Sequence, residues 1–126
     1  MKHIFVYGTL LNDEILEHLL NFVPEKINAT LFDFKRVQVK GAAYPAILPH
    51  IDSSVSGMLL CGLNKKHLTT LDNYETSHYQ RQPVELILSD GKHIHSQTYV
   101  YKPKYYDHLS NESWSNEHYR SKYLHP

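Results

Sequence analysis

The sequence of 126 residues predicts an α+β fold: a compact, mixed and mostly antiparallel β-barrel with short flanking helices. Its segments follow the order strand, helix, several strands, short helix, hairpin and tail, without the strict alternation of a doubly wound sheet. An Asp-Gly pair between two apolar runs is a strong hairpin signal and favours antiparallel pairing. No repeat or linker interrupts the chain, so we expect one domain over residues 1–126, with 102–126 as its C-terminal segment.

The start of the chain predicts one strand and one helix. β-branched and aromatic residues run from His3 to Tyr7 with the period of a strand. Asn12 suits the N-cap of a helix that continues to about Asn21. The buried face of this helix is expected to contain Ile15, Leu16, Leu19 and Leu20.

The middle of the chain is rich in strand-forming residues. Residues 27–39 are strand-like, and a turn-rich stretch follows over 41–49. A second apolar strand is predicted over 53–63, where Gly57 and Gly62 mark a bulge, a bend or the strand ends. Both strands contribute to the predicted sheet.

The remaining elements are a helix, a hairpin and a tail. The helix is expected from Asn64, its N-cap, to about Tyr74. Residues 84–88 and 94–101 flank the Asp-Gly turn and form the hairpin. The polar, tyrosine-rich tail is expected to end in a short helix near 114–123, with Trp114, His118 and Tyr119 on one face.

Composition limits the partners and the compartment. Thirteen basic residues balance thirteen acidic ones, so the chain lacks the basic field that nucleic acid or an anionic membrane requires. No apolar run is long enough for a signal peptide or a spanning helix. The single cysteine, Cys61, excludes an internal disulfide framework and fits a reducing compartment. We expect a cytoplasmic protein without nucleic-acid or membrane partners, and the absence of a heptad favours a monomer.

A glycine turn at Tyr7-Gly8-Thr9-Leu10 lies where the first strand meets the first helix. A backbone that turns through glycine leaves amide N–H groups unpaired, and a helix N-terminus behind them adds positive potential. Such a corner suits a carboxylate or another oxygen-rich group. The alternative is an ordinary strand-to-helix turn.

Acid, base and phenol groups gather between Leu71 and Arg81, where a helix ends and a strand begins. The helix dipole and burial would both raise the pKa of Glu75 toward that of a proton shuttle at neutral pH. The alternative is a solvated surface glutamate. Asp72 is a candidate structural acid, and Tyr79 belongs to the core or to a site wall. Arg81 either pairs with an acid or clamps an anionic substrate.

Ten histidines raise the question of a metal site, and His93-x-His95 places two imidazoles on one face of a strand. No third ligand lies at a telling spacing, and neither His-Glu-x-x-His nor Cys-x-x-Cys occurs. Gly8-Thr9 also lacks the lysine and further glycines of a phosphate-binding loop. We therefore expect neither a metal nor an organic cofactor.

Three segments together resemble the γ-glutamylcyclotransferase-like (AIG2-like) family. They are Val6-Tyr7-Gly8-Thr9-Leu10, Tyr44-Pro45-Ala46, and Leu71-Asp72-x-x-Glu75 followed by Tyr79-x-Arg81. The stretch from Tyr79 to Val84 is particularly similar to the γ-glutamylamine cyclotransferase branch. The resemblance spans residues 3 to 101, and the order and spacing of the three motifs make it specific.

The resemblance implies a compact mixed barrel with one pocket and a small-molecule γ-glutamyl substrate. Such an enzyme cyclises the γ-glutamyl group to 5-oxoproline and releases the free amine, without metal or cofactor. The resemblance assigns Glu75 as the general acid/base. It places Tyr7, Gly8, Thr9 and Leu10 around the glutamyl group, with Tyr44, Pro45, Tyr79 and Arg81 as further candidate substrate-binding residues.

Two alternatives and one departure accompany this assignment. The same fold could bind a small ligand without turnover, or it could remove a γ-glutamyl protecting group from a biosynthetic intermediate. Many relatives place glycine after the catalytic glutamate, whereas this chain has Thr76. If that position requires a positive φ, threonine is strained there, and the substrate choice is affected more than the chemistry.

Overall fold

The computed structural model of the chain describes residues 2–124. Five strands form a closed barrel in the order β1-β3-β2-β4-β5, and β5 returns to β1. All neighbouring strands pair antiparallel except β1 and β5, which run parallel and meet at Phe5 and Thr98. The strands are β1 Lys2–Val6, β2 Lys26–Gln38, β3 Pro45–Leu63, β4 Tyr79–Leu88 and β5 His93–Tyr101. This architecture confirms the predicted fold class.

Short helices flank the barrel. They are α1 Asp13–Leu20, α2 Lys65–Glu75 and α3 Asn116–Tyr119, with 3-10 turns at Thr9–Leu11 and Pro103–His108 and a π-helical turn at Arg120–Leu124. Asn64 caps α2 as predicted, because its side chain accepts from the N–H of His67. Asn12 occupies the N-cap position of α1, but its side chain makes no cap bond there. Among the described residues, no helix is both long and apolar enough to cross a membrane.

The strand β3 begins earlier than the sequence indicated. Residues 45–49, predicted as part of a turn-rich stretch, pair with β2 and extend the strand toward its N-terminus. Proline is compatible with a strand at its first residue, where Pro45 lies, and beside a bulge. Pro49 pairs with Phe34 next to the register shift of β2. The turn signals were therefore interpreted too broadly.

The strand β4 also begins earlier, at Tyr79 instead of Val84. The recorded pairs between β4 and β2 are confined to Ile87 and Leu88, so the first part of β4 pairs with β5 alone. This free edge tolerates Pro83, which cannot donate to a neighbouring strand. The early start places Tyr79 only four residues after the end of α2.

The core has two parts that share β1. Ile4 and Val6 pack with the apolar residues of α1 and α2, whereas Phe5 and Tyr7 pack in a cluster that contains strand residues. This alternation is the period-two pattern of a strand with one face toward the helices and one toward the barrel interior. On α1, Leu16 and Leu20 are buried, and Ile15 and Leu19 pack partly against the same cluster.

The C-terminal segment packs against the 3-10 turn that follows β1 and against Asn12. A short helix forms there as predicted, and the buried ring of Trp114 lies 6.0 Å from that of Tyr119. His118 is exposed, so the expectation that it shares their face is wrong. Its backbone N–H instead completes the cap of α3, because it donates to the Ser115 hydroxyl.

Candidate active site

A cavity of about 230 Å³ opens where the end of β1, the start of β3 and the end of α2 meet. Eight of the nine site residues predicted from the sequence line this cavity: Tyr7, Gly8, Thr9, Leu10, Tyr44, Pro45, Glu75 and Tyr79. Phe5, Val6, Tyr74, Thr76 and Tyr99 complete its wall. Three motifs that are far apart in sequence are therefore brought together.

Glu75 is the last residue of α2, and its carboxyl lies against the cavity. Within residues 2–124 this carboxyl makes no hydrogen bond and no ion pair. The side chain is half-buried and surrounded by apolar and phenolic groups, and this burial raises its pKa to about 8. Glu75 is thus a carboxyl that changes protonation state near neutral pH.

Three buried phenols form rigid walls around Glu75. The hydroxyl of Tyr7 donates to the carbonyl of Tyr99 at 2.6 Å, and that of Tyr79 donates to the carbonyl of Pro45 at 2.8 Å. The hydroxyl of Tyr99 donates to Asp72 Oδ1 at 2.6 Å. Burial raises the pKa of each phenol, so all three stay neutral at physiological pH. Of the described residues that line the cavity, only Glu75 can exchange a proton near pH 7.

The turn after β1 presents unpaired backbone donors. Within residues 2–124, the N–H groups of Gly8, Thr9 and Leu10 have no hydrogen-bond acceptor. All three residues line the cavity, and we call this set of amides the donor cradle. Buried N–H groups without a partner are costly, so a free set beside a cavity suits an acceptor supplied by a ligand.

The 3-10 turn at Thr9–Leu11 separates the donor cradle from α1, which begins at Asp13. Asp13 and Glu14 also lie in the first turn of α1, where their carboxylates offset the positive end of the helix dipole. The expected contribution of a helix N-terminus is therefore small. The attraction for an anionic group arises from the three amides themselves.

Glycine is required at position 8 by close packing. A Cβ atom built on Gly8 would lie 2.9 Å from both Cδ and Cγ of Pro45, a distance that real side chains do not adopt. The Pro45 ring thus packs directly against Gly8 of the donor cradle. The Tyr79 hydroxyl in turn donates a hydrogen bond to the Pro45 carbonyl. The motifs around Gly8, Pro45 and Tyr79 are linked through direct contacts.

These three motifs can be compared with known proteins. The model of the family described as gamma-glutamyl cyclotransferase, AIG2-like, matches residues 4–118. The chain belongs to this family. AIG2-like protein D of Arabidopsis thaliana is 37% identical over 124 residues, which cover 94% of this chain and 82% of that protein.

Two solved structures share the fold. The solution structure of an Arabidopsis thaliana protein aligns with a TM-score of 0.77 at 29% identity, over 95% of this chain and 80% of the other. A structure described as gamma-glutamyl cyclotransferase aligns with a TM-score of 0.68 at 22% identity, over 80% and 66% of the two chains. The predicted family is confirmed, and membership in it supports a γ-glutamyl cyclotransferase-like function. The solved structures confirm the fold.

Thr76 follows the glutamate and has an unusual backbone conformation for a threonine. Its φ is 73° and its ψ is 179°, a region that is almost confined to glycine. The condition stated for this position, a positive φ, is met, so the threonine is strained. Such a conformation costs on the order of 1–3 kcal/mol, and it persists here because Thr76 closes the end of α2 through an N–H bond to the Asp72 carbonyl.

Arg81 is the one predicted site residue that does not line the cavity. It lies on β4 in an adjacent, shallower depression, where its Nη2 is 3.5 Å from Asp72 Oδ2. Asp72 thus receives both Arg81 and the Tyr99 hydroxyl, which fits the structural acid that the sequence indicated. Of the two alternatives stated for Arg81, the geometry favours pairing with an acid.

The wall residues that the sequence prediction missed include two tyrosines, Tyr74 and Tyr99. Tyr74 directly precedes Glu75 at the end of α2, and its hydroxyl lies 2.7 Å from that of Thr9. Tyr99 alternates with Tyr101 along β5, so the period of the predicted strand could have indicated that both point to one face. The position of that face relative to Glu75 depends on barrel closure.

The paired histidines of β5 do not line this cavity. His93 Nδ1 is 2.9 Å from Glu85 Oε1, and His95 Nε2 is 3.7 Å from Glu85 Oε2, with all three side chains exposed. The described part of the chain contains no group of three or more histidine, cysteine, aspartate or glutamate side chains that could hold a metal ion. Independence from metals and cofactors stays a prediction.

Proposed function

We propose that the protein is a γ-glutamylcyclotransferase, which converts the γ-glutamyl group of a γ-glutamyl amine or amino acid into 5-oxoproline and releases the free amine. One observation carries this proposal: the unpaired Glu75 carboxyl, with its pKa near 8, shares one small cavity with three unpaired amide N–H groups. A proton shuttle and a set of oxyanion donors are the two parts that an acyl transfer requires.

The reaction takes place within one molecule. The α-amine nitrogen of the substrate attacks the carbon of its own γ-carbonyl and forms the five-membered ring. The C–N bond to the leaving amine then breaks, and the electron pair of that bond stays on the leaving nitrogen. Because nucleophile and electrophile share one molecule, the enzyme gains most by holding the folded conformer in a small cavity.

Glu75 moves the proton in this mechanism. Its ionised carboxylate takes a proton from the α-ammonium as the nitrogen attacks, and the protonated carboxyl gives a proton to the leaving nitrogen. A carboxyl with an ordinary pKa would be a weak base toward an ammonium group. The burial that raises the pKa of Glu75 brings its basicity closer to that of the amine, which favours both transfers.

The donor cradle supplies the electrostatic stabilisation. Attack on the γ-carbonyl turns its oxygen into an oxyanion, and amide N–H groups that are already fixed in place can stabilise this charge without reorganisation. Three amides are available, at Gly8, Thr9 and Leu10, so the cradle can also receive the α-carboxylate of the substrate. The phenol walls exclude water and fix the ring-forming conformer.

The leaving amine occupies the open side of the cavity in this proposal. Tyr44 and Tyr74 lie at the rim, and 45% and 37% of their surfaces are exposed. Aromatic rims accept aliphatic chains of different length, which fits the similarity to the γ-glutamylamine branch. Tyr44 and Tyr74 therefore contribute to the choice of amine, while the inner residues act on the glutamyl group.

A substrate screen tests this proposal. The purified protein is incubated with γ-glutamyl amino acids, γ-glutamylamines and γ-glutamyl-ε-lysine, and both 5-oxoproline and the free amine are quantified. The proposal predicts equal amounts of the two products with at least one compound. Thermal stabilisation by these compounds without product would instead support the binding-domain alternative, and would contradict the proposed activity.

A further inference from the structure

Each free N–H group of the donor cradle follows a peptide carbonyl that is hydrogen-bonded. The carbonyl of Tyr7 accepts from Arg36 Nη1 at 2.8 Å, and that of Gly8 accepts from the Leu11 N–H at 2.9 Å. The carbonyl of Thr9 accepts from both the backbone N–H and the side-chain Nδ2 of Asn12.

Each occupied carbonyl fixes the direction of one free amide. In a trans peptide, the C=O of one residue and the N–H of the next point in opposite directions within a rigid plane. The three carbonyl contacts therefore orient the N–H groups of Gly8, Thr9 and Leu10. A donor set held in this way needs no rearrangement when charge develops on a ligand.

Arg36 differs from the other two contacts because it is distant in sequence. Leu11 and Asn12 belong to the same turn, whereas Arg36 reaches the Tyr7 carbonyl from β2. Arg36 Nη1 also lies 3.3 Å from the Ser56 carbonyl on β3. Its guanidinium is therefore anchored to two carbonyls at once.

The C-terminal segment completes the environment of Arg36. The Arg36 guanidinium carbon lies 5.6 Å from the centre of the Trp114 ring, in the range of a cation–π contact. Trp114 is buried, and its Nε1 donates to the Ala43 carbonyl at 3.0 Å. The Arg36 guanidinium is thus held against the Tyr7 carbonyl by additional contacts with β3 and with the C-terminal segment.

We infer that Arg36 is a positioning residue of this site: it holds the Tyr7–Gly8 peptide so that the Gly8 N–H serves as a donor to the substrate. Arg36 does not line the cavity, so it acts through the peptide and not by touching the substrate. A cationic donor on the carbonyl also polarises the amide and strengthens its N–H as a donor. The inference rests on the proposed function for its catalytic consequence.

Kinetics of Arg36→Met test this inference. Methionine keeps an unbranched chain but removes the charge and the donor. Because the Gly8 N–H is misoriented and not removed, we expect kcat/KM to fall about tenfold or more, up to the roughly 10²–10³-fold loss known for removal of one oxyanion donor. The residual activity should still increase with pH as Glu75 ionises, as in the wild type. A general loss of structure would not preserve this pH dependence. Arg36→Lys retains a single ammonium without the planar fork, and we expect partial rescue.

Lys35→Met is the matched control, because it removes a neighbouring positive charge of β2 that makes no recorded contact with the turn. It should retain wild-type kcat/KM. If Arg36→Met matches this control while folded to the same extent, Arg36 has no positioning role. If Arg36→Met does not fold, the same comparison is made with Arg36→Lys.

A second measurement does not depend on turnover. The amide ¹⁵N and ¹H resonances of Gly8 report on the hydrogen bond at the preceding carbonyl, so Arg36→Met should shift them, whereas Lys35→Met should leave them in place. A wild-type protein that converts no substrate would overturn the proposed function alone. Unshifted Gly8 resonances in Arg36→Met would overturn the inference about Arg36, whether or not the protein is an enzyme.

Discussion

The hydroxyl groups of Thr9 and Tyr74 lie 2.7 Å apart, and this hydrogen bond joins the donor cradle to the end of α2. Tyr74 directly precedes Glu75, so the bond connects the element that holds the substrate with the element that moves the proton. Thr9 is buried, whereas the ring of Tyr74 reaches the rim of the cavity. The two halves of the proposed site are thus coupled through one pair of side chains.

Tyr74→Phe removes this coupling and keeps the ring. The Thr9 hydroxyl loses its partner, so we expect the free energy of unfolding to fall by about 1 kcal/mol. We expect kcat/KM to fall severalfold, because Glu75 and the cradle are no longer held at a fixed separation. Urea denaturation and steady-state kinetics measure the two effects. Tyr123→Phe, at an exposed tyrosine, is the control, and equal behaviour of the two variants would contradict the coupling.

The raised pKa of Glu75 predicts a stability effect with a defined sign. Its folded pKa is about 8, against 4.5 as the ordinary value, so the folded state binds more protons than the unfolded state between these values. Stability should therefore decrease as pH rises from about 4.5 to 8. The loss has an upper bound of about 5 kcal/mol, since each unit of pKa corresponds to about 1.4 kcal/mol.

Glu75→Gln isolates this effect, because glutamine resembles the protonated carboxyl and does not ionise. We expect the variant to match the wild type below pH 4.5 and to become more stable than the wild type as pH approaches 8. Denaturation across this pH range provides the measurement. A variant that is less stable than the wild type at pH 8 would show that the carboxylate is stabilising, contrary to the burial of this group.

The same pKa predicts the pH dependence of catalysis. In the proposed mechanism the ionised carboxylate begins the reaction, so kcat/KM should rise through a midpoint near pH 8. An assay of 5-oxoproline release from pH 6 to 9.5 measures this limb. Asp90→Asn, in the exposed hairpin turn, should keep the same limb. A wild-type kcat/KM that does not rise between pH 6 and 9.5 would contradict the assignment of Glu75 as the base.

Thr76→Gly should stabilise the protein. Glycine adopts the φ of 73° without strain, so the variant recovers on the order of 1–3 kcal/mol, of which the greater freedom of glycine in the unfolded state removes about 0.5–1 kcal/mol. The net gain in the free energy of unfolding is measured by urea denaturation. Thr69→Gly within α2 is the control and should destabilise the helix. A loss of stability in Thr76→Gly would show that the threonine side chain outweighs the strain.

Much of the fold could be predicted because it depends on local patterns. The cap at Asn64, the Asp-Gly hairpin and the alternation along β1 are short-range signals, and each element formed where it was expected. The starts of β3 and β4 were misplaced because Pro45 and Pro83 indicate a turn locally. Pro45 is tolerated because it is the first residue of a strand, and Pro83 because it lies on an unpaired strand edge. Neither position can be recognised from the neighbouring residues in the sequence.

The candidate site shows the same division. Glu75 and the turn around Gly8 stood out through their residue types and their order in the chain, and the structure brings them to one cavity. Arg36 and Tyr99 contribute through contacts with backbone carbonyls and with Asp72, which depend on the closure of the barrel. From sequence alone, an arginine in a strand that hydrogen-bonds a distant backbone carbonyl cannot be distinguished from an arginine that is exposed to solvent.

The rate of 5-oxoproline release by Glu75→Gln tests the central claim most directly. Glu85→Gln, at an exposed glutamate of β4, is the matched control. With the best substrate of the screen, we expect the wild type and Glu85→Gln to release 5-oxoproline and amine at the same rate. We expect Glu75→Gln, folded and still able to bind the substrate, to be slower by a factor of about 10²–10⁴. Wild-type turnover by Glu75→Gln would contradict the assignment of Glu75 as the group that moves the proton.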